Sequence, residues 1–577
     1  MSRTPRLGAA LLALVACLAL PAAARAHAYL VKTVPAASQE LNGSPADIQL
    51  TYDEPVEPRF AIISVTDAQG HQETSGPVRR SAANPDTLIA PLRPHLPEGW
   101  YLIYWRAISV DGHPVSGAFT YAVGPSAGPA PQFQVPTLSA TTVTPELLIT
   151  RWLMFAGVMV SIGLFALRLL IARRLAARLA GVSLRPLSAA FVASSLVGLV
   201  AIPIYLDFST ANDSLRSVFD VGGLVPLFGV TAFGRAILRL ELCFVLFCAA
   251  AWIGLWVERP ANRLRTVAEL AATTGALLAA AAVLVVPGAS GHAAQTPPRG
   301  LTLIFDWTHL AAGSVWIGGL VGLLVLSFSV PSVLRTSALS IAVPRFSTVA
   351  VASVLLLAAS GIGEAVDHLP ALNALWLTGY GRAILVKTGL FAAALMVASG
   401  NLLRSRPALA GATREPQAAA RAASRLRGLV SGELILVTGV VFTAALLSSL
   451  PPPPPAFALQ SRALARVGPG TVARSITRAG YRLELLVSPN RAAAPDKFDL
   501  RITRNGRPVR NANVTLAFDM TTMQMPQQEY QLAETRPGLY SRAVPALVMV
   551  GEWGLTFQIS PKDAPPFSAL ILDQANG

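Results

Sequence analysis

Two hydrophobic rhythms alternate along the chain. In the middle, eight nearly continuous apolar runs lie near 150–171, 187–207, 236–257, 266–287, 301–329, 346–366, 382–403 and 428–449. Each is close to the roughly 20 residues that a helix needs to cross a hydrocarbon layer of about 30 Å. In front of them, shorter stretches at 48–52, 61–65, 100–105 and 117–123 alternate apolar and polar positions, with Gly, Pro, Asn and Asp between. The same period of two returns behind the apolar runs, at 481–487, 497–503, 513–518 and 553–559. A period of two marks strands with one buried face. The predicted fold class is a multidomain membrane protein: an N-terminal Greek-key β-sandwich or barrel, an eight-helix all-α transmembrane bundle and a C-terminal β-sandwich.

Charge sets the orientation. Only 13% of residues are charged, yet the net charge is +15. A soluble chain carries about a quarter. The Arg residues gather after odd-numbered runs: Arg173, Arg174, Arg178 and Arg185, then Arg259, Arg263 and Arg265, then Arg404 to Arg427. Loops after even-numbered runs hold almost none. Arg-rich loops stay in the cytoplasm, so both termini face out. This placement accounts for the basic balance with no nucleic-acid partner. Arg3 and Arg6, an apolar stretch over 7–20 and the Ala24-Arg25-Ala26 cleavage site make residues 1–26 a secretory signal peptide. The expected location is a bacterial inner (plasma) membrane, multi-pass, with both terminal domains on the periplasmic side.

The bundle repeats internally. Thr231-Ala-Phe-Gly-Arg-Ala-Ile-Leu opens the third run and Thr378-Gly-Tyr-Gly-Arg-Ala-Ile-Leu the seventh, while 152–163 resembles 307–318. Two four-helix halves in one orientation follow. The domains read as 27–124, a Pro/Gly/Ala/Ser-rich linker 125–145, a membrane domain 146–450, a Pro-rich spacer 451–463 and a tail domain 464–565.

Cleavage after Ala26 exposes His27, whose amine and ring can chelate one metal. Asp111 and His113 lie two apart in Ser109-Val-Asp-Gly-His-Pro-Val-Ser-Gly117, and such residues share one side of an extended segment. Together these donors form a nitrogen-rich, tetragonal set that suits Cu(II) better than Mg or Ca. Residue types alone also admit Zn. Met is absent between 27 and 145, so a Cu(I) thioether site is not expected there. His71 and His95 read as solvated loop residues. The run from His27, the segment Leu50-Thr-Tyr-Asp-Glu-Pro-Val and Trp105-Arg-Ala-Ile-Ser-Val-Asp-Gly-His-Pro resemble the periplasmic copper-binding protein CopC. That resemblance implies His27, Asp111 and His113 as Cu(II) ligands, with Glu54 matching a nearby carboxylate of some members.

Polar residues inside the apolar runs stand out because lipid penalises them. His309 follows Asp306 by three, so the two share a helix face, and a carboxylate holding one ring nitrogen leaves the other for a metal. With His292 in the preceding outer loop, and Glu364, Asp367 and His368 closing the sixth run, an outer metal path is expected. Arg239, Glu241, Glu269, Lys387 and Glu433 read as ion pairs holding the bundle. Cys243 and Cys248 read as lipid-facing or packing residues. Gly291-His292, His309 with Trp316-Ile-Gly-Gly-Leu320 and Tyr380-Gly-Arg-Ala-Ile-Leu-Val-Lys387 resemble the CopD copper-resistance membrane family, which implies copper passage across the inner membrane.

In the tail, Met520, Met523 and Met525 lie within six positions and no His is present. Soft thioethers select Cu(I). This cluster, with Gly538-Leu-Tyr540 and Gly551-Glu-Trp553-Gly, looks like the YtkA-like domains found beside CopC and CopD modules. The combined expectation is a copper-binding and copper-transporting protein, with import the expected direction, and not an enzyme. Its ligands are copper ions and membrane lipid, with periplasmic copper chaperones as candidate partners. A membrane redox protein, such as a cupric reductase or haem b protein, is the alternative. It is weakened because two haems need paired His at matched depth and only His309 lies within a run. An ATP-driven pump is disfavoured, since no Gly-Lys pair exists for a phosphate-binding loop.

Overall fold

The computed structural model describes residues 30–37, 39–52, 56, 58, 61–108, 114–125, 127, 131, 133, 144–214, 232–258, 265–290, 298–412, 414–450, 452–453, 455–492, 494–521, 527–548 and 550–576. The helices form one compact unit and the two β-domains fall in another.

Among the described residues the N-terminal domain has eight strands: β1 Leu30–Val34, β2 Glu40–Leu41, β3 Asp47–Tyr52, β4 Ile62–Thr66, β5 Arg79–Arg80, β6 Thr87–Pro91, β7 Gly99–Ile108 and β8 Pro114–Val123. They make two four-stranded sheets, β1-β3-β6-β5 and β2-β8-β7-β4. Alternation along β3 buries Ile48, Leu50 and Tyr52, which pack with Val65, Ile103, Trp105 and Phe119 between the sheets. The outer face of β7 and β8 is apolar too. Trp100, Leu102, Tyr104, Ala118 and Ala122 form a second cluster, and Phe133 from the 125–145 segment covers it. That segment, expected as a plain linker, thus supplies a packing residue.

Among the described residues, eight helices are long and apolar enough to cross a membrane. They are α1 Pro145–Arg178, α2 Arg185–Ala211, α3 Phe233–Val257, α4 Val267–Ala289, α5 Arg299–Ser329, α6 Ser332–His368, α7 Gly379–Ala410 and α8 Pro416–Leu447. Two begin well before their apolar runs. α6 starts at Ser332 and α8 at Pro416, so much of the Arg-rich sequence between runs is helix extending beyond the apolar runs. α1 and α7 each contain a π-turn near the C-terminal end, Arg168–Ala172 and Asn401–Ser405.

α1 packs against α2 and α5, α3 against α4, α5 against α6, and α7 against α8. α1 and α5 are the most buried helices. They cross where Gly163 meets Gly318, positions that the 152–163 and 307–318 repeat makes equivalent. A Cβ at Gly163 would overlap the Ser314 carbonyl oxygen, and one at Gly318 would overlap the Gly163 backbone. Small residues allow helices to approach this closely in lipid, where packing replaces the hydrophobic drive.

Among the described residues the tail domain has ten strands: β9 Ala465–Val467, β10 Val472–Arg478, β11 Tyr481–Ser488, β12 Asp496–Arg504, β13 Arg507–Pro508, β14 Asn513–Met520, β15 Gln528–Arg536, β16 Leu539–Val544, β17 Gly551–Ser560 and β18 Phe567–Ala575. Their order is β10-β11-β12-β16-β15-β14-β17-β18-β9, with β13 beside β12. β15 pairs with both β14 and β16, so the sheet folds over on it. Leu483, Leu485, Phe498 and Leu500 from one half share a core with Leu516, Phe518, Trp553 and Phe557 from the other. Phe498 and Phe518 meet edge to face at 5.1 Å. This is the sandwich expected from the alternation.

Candidate metal centres

His27, Glu54, Asp111 and His113 all lie outside the described residues. The frame that carries them is described. Leu30, three residues after His27, pairs with Tyr52, two residues before Glu54. Ile108 pairs with Pro114, bracketing Asp111 and His113. Tyr52 and Trp105 meet edge to face at 5.8 Å. The end of β3 and the hairpin end of β7 therefore lie at one end of the sandwich. Gly117 pairs with Trp105, and a Cβ there would fall 2.8 Å from the indole, so only glycine fits beneath that ring. Tyr52 is buried, its hydroxyl pKa is pushed up by that burial, and its Oη has no hydrogen-bond partner among the described residues. His71 is solvated as expected: its side chain is 73% exposed and it contacts Asp67 at 2.9 Å.

In the bundle, α5 carries His309 into a polar cluster built with α6 and α7. Its Nδ1 lies 3.0 Å from Ser360 Oγ. The Ser360 hydroxyl itself donates to the Leu356 carbonyl at 2.7 Å. Ser360 therefore accepts from Nδ1–H, which places the ring lone pair on Nε2. That lone pair faces Lys387 Nζ on α7, 3.5 Å away. Gly361 leaves room for the ring, since a Cβ there would fall 3.2 Å from His309 Cε1. Glu364 Oε1 stands 3.9 Å from Nδ1, too far for a hydrogen bond.

Asp306 does not hold the ring, contrary to the sequence expectation. One turn of helix carries its carboxylate toward α4, where a Cβ at Gly288 would overlap Asp306 Oδ2. Asp306 Oδ2 and Glu364 Oε1 are both buried atoms without a hydrogen-bond partner among the described residues. His368 Nδ1 donates to the Glu364 carbonyl at 2.8 Å, which leaves its Nε2 as the lone-pair nitrogen. His292 lies outside the described residues.

The expected ion pairs fare differently. Glu269 and Arg173 do pair, at 3.6 Å, beside a stronger Arg168–Glu258 contact at 2.7 Å. Glu433 instead accepts from the Trp316 indole at 3.1 Å. Lys387 faces His309. No ion pair joins Arg239 and Glu241 among the described residues. Sequence reasoning missed Ser360, because nothing local marks a serine 51 positions away as the partner of His309. Cys243 is buried and both described cysteines are free, as expected of packing residues.

In the tail, Met520 closes β14, is 5% exposed and packs in the core opposite Trp553. It lies at a strand end rather than in the loop that its polar neighbours suggested. Met523 and Met525 lie outside the described residues. Among the described residues, no three His, Cys, Asp or Glu side chains converge in a way that would hold a metal.

Together these features define a multi-pass membrane protein with a β-sandwich in front and another behind. Family models match in that order: the CopC domain at 30–124, copper resistance protein D at 340–447 and the YtkA-like domain at 477–558. The chain belongs to the CopC–CopD family of copper-resistance fusion proteins. It is 26% identical over 539 residues to the copper transport protein CutJ of Bacillus subtilis, covering 92% of this chain and 93% of that one. Over 106 residues it is 34% identical to copper resistance protein C of Escherichia coli, covering 17% of this chain and 83% of the relative. Among solved structures it is similar to CopC of Methylosinus trichosporium OB3b, at 31% identity and a TM-score of 0.16, covering 17% of this chain and 96% of that one.

Proposed function

We propose that this protein collects copper outside the membrane and passes it inward along the α5–α6–α7 face. The observation that carries this reading is the surroundings of His309. Its Nε2 lone pair is presented by a ring that Ser360 fixes, and the buried Glu364 Oε1, 3.9 Å from Nδ1, has no hydrogen-bond partner among the described residues, nor has the buried Asp306 Oδ2 one turn away on α5. Buried unpartnered carboxylates are costly, and a passing cation would offset that cost while the imidazole supplies a bond. His368 and His292 extend the route outward. At the N-terminal domain, His27, Asp111 and His113 are the Cu(II) ligands, with Glu54 near them. This rests on the motif, on the converging strand ends and on relatives named for copper resistance. Met520 at the end of β14, with Met523 and Met525 following it in the sequence, are the Cu(I) donors of the tail. Both terminal domains face the periplasm, in agreement with the Arg-rich inner ends of the helices, and periplasmic chaperones deliver or receive the metal there.

The test is total copper in cells that lack other copper importers. Wild-type protein is expected to raise cell copper. His309→Ala is expected to abolish the rise, and an Ala inserted before His27 to weaken it at limiting copper. A fall in cell copper on expression would reverse the direction. A rise that His309→Ala leaves untouched would remove the helix face from the route.

A further inference from the structure

The tail domain holds a second set of donors whose chemistry differs from that of the copper sites. Three stretches meet at one end of the sandwich: the 468–470 turn, the loop after β11 and the end of β18. Asn490, at φ 61°, donates from Nδ2 to the Gly470 carbonyl and to Asp573 Oδ1, both at 2.9 Å. Arg491 N–H donates to Asp496 Oδ1 at 3.0 Å, and Ala492 N–H to the Asn576 carbonyl at 2.6 Å. Gly468, at φ +78°, sits so close that a Cβ would fall 2.9 Å from Asp573 Oδ1 and 2.5 Å from the Gln574 carbonyl oxygen.

Asn490 is 1% exposed, and Asp496 and Asp573 are 0% exposed. Even so, Asn490 Oδ1, Asp496 Oδ2 and Asp573 Oδ2 have no hydrogen-bond partner among the described residues. Native proteins rarely leave one such atom bare, and here there are three: two on the hydrogen-bonded Asn490–Asp573 pair and one on Asp496, which holds the backbone N–H of Arg491 next to Asn490. Burial is the main force on both acids. It pushes Asp496 up to about 7 against backbone hydrogen bonds from Arg491 and Asn490, with repulsion from Asp573 adding, and it pushes Asp573 up to about 6 against hydrogen bonds from the Asn490 side chain and the Gln574 backbone. The donor set is all oxygen, with no sulfur and no imidazole, so it does not suit copper. Two carboxylates with an amide oxygen suit a hard cation, and Ca2+ accepts a flexible shell of oxygens.

We propose that Asp496, Asp573 and Asn490 form a structural Ca2+ site that ties the 468–470 turn, the β11–β12 loop and the end of β18 together. The bound ion supplies the partner that all three oxygens lack, and it locks the open end of the sandwich.

The full chain in detergent, stripped with chelator, is tested by hydrogen exchange with Ca2+ or Mg2+ raised to about 1 mM, the weak end for extracellular Ca2+ modules. Peptides over 486–497 and 568–576 are expected to slow at least tenfold with Ca2+ and not with Mg2+. Asp496→Asn and Asp573→Asn, which keep shape, should lose that response, and Asn490→Gly, compatible with the positive φ, should weaken it. No Ca2+-dependent slowing at those peptides would overturn the proposal. So would an undiminished response in both Asp variants, or slowing confined to the N-terminal domain. Should a variant exchange fast throughout β11, β12 and β18 in either condition, the wild-type contrast between Ca2+ and Mg2+ decides.

Discussion

Lys387 sits where copper would have to bind, so Lys387→Gln offers the sharpest perturbation of the helix face. Its ammonium lies 3.5 Å from His309 Nε2. Two unit charges at about 4 Å interact by about 4 kcal/mol at an effective dielectric of 20. Asp306 and Glu364 offset part of that repulsion for copper bound at Nε2. If only a third survives, about 1.4 kcal/mol remains, which is tenfold in affinity. Glutamine keeps much of the length, removes the charge and adds no soft ligand. The variant is expected to bind copper at least tenfold more tightly, and to move it more slowly at saturating copper because release is impeded. Competition against a chelator of known copper affinity, on purified protein, measures the gain. The double variant with His309→Ala should show none of it. Unchanged or weaker binding in Lys387→Gln, or a gain that persists without His309, would refute the placement of copper at Nε2.

Further outcomes follow from the same geometry. Ser360→Ala frees the His309 ring and should lower copper binding and flux roughly tenfold, as loss of a ligand's outer hydrogen bond commonly does; the chelator competition reads it. Gly318→Ala forces α1 and α5 apart at their crossing and should cost about 1–3 kcal/mol, seen as a lower melting midpoint in detergent. Gly389→Ala, which meets nothing within 4 Å, should not. In the tail, the folded pKa values of Asp496 and Asp573 lie above the ordinary carboxylate value. The folded domain therefore holds more protons than the unfolded one between about pH 4 and 7. Their contribution is fully present below about pH 4 and lost as pH rises through about 7. With chelator present, opening of β11, β12 and β18 by hydrogen exchange, corrected for intrinsic rate, should increase across that window.

Much of the architecture was legible because lipid and sheet each impose a simple rule. An apolar run of about 20 residues has one use in this chain, and all eight became helices. The repeat around Gly163 and Gly318 was visible as sequence likeness, and the structure gives it a physical reason in the helix crossing. Helix ends were less legible. Arg335, Arg345 and the Arg residues near 421–427 lie on helical extensions, because backbone hydrogen bonding does not stop where hydropathy does. Phe133 looked like part of a flexible stretch, yet an exposed apolar sheet face needed covering.

The candidate sites were legible by residue type and not by partnership. His309 stood out as an imidazole in an apolar run, but Asp306 was assigned to it on helix spacing alone. The partner came from another helix. Glu433 and Lys387 were read as ion pairs because charge in lipid usually pairs with charge, and an indole and an imidazole took those places. Asp496 and Asp573 gave no signal at all. In an alternating strand, a polar residue is read as facing solvent, and only the folded loops reveal that these two are sealed inside.

Copper flux through the purified protein bears most directly on the central claim. Reconstituted in vesicles with radioactive copper on the side of the terminal domains, wild-type protein should load the lumen, and His309→Ala should reduce loading to that of empty vesicles while remaining folded. Equal loading by both proteins, or none by either under reducing and oxidising conditions alike, would contradict copper passage along the α5–α6–α7 face.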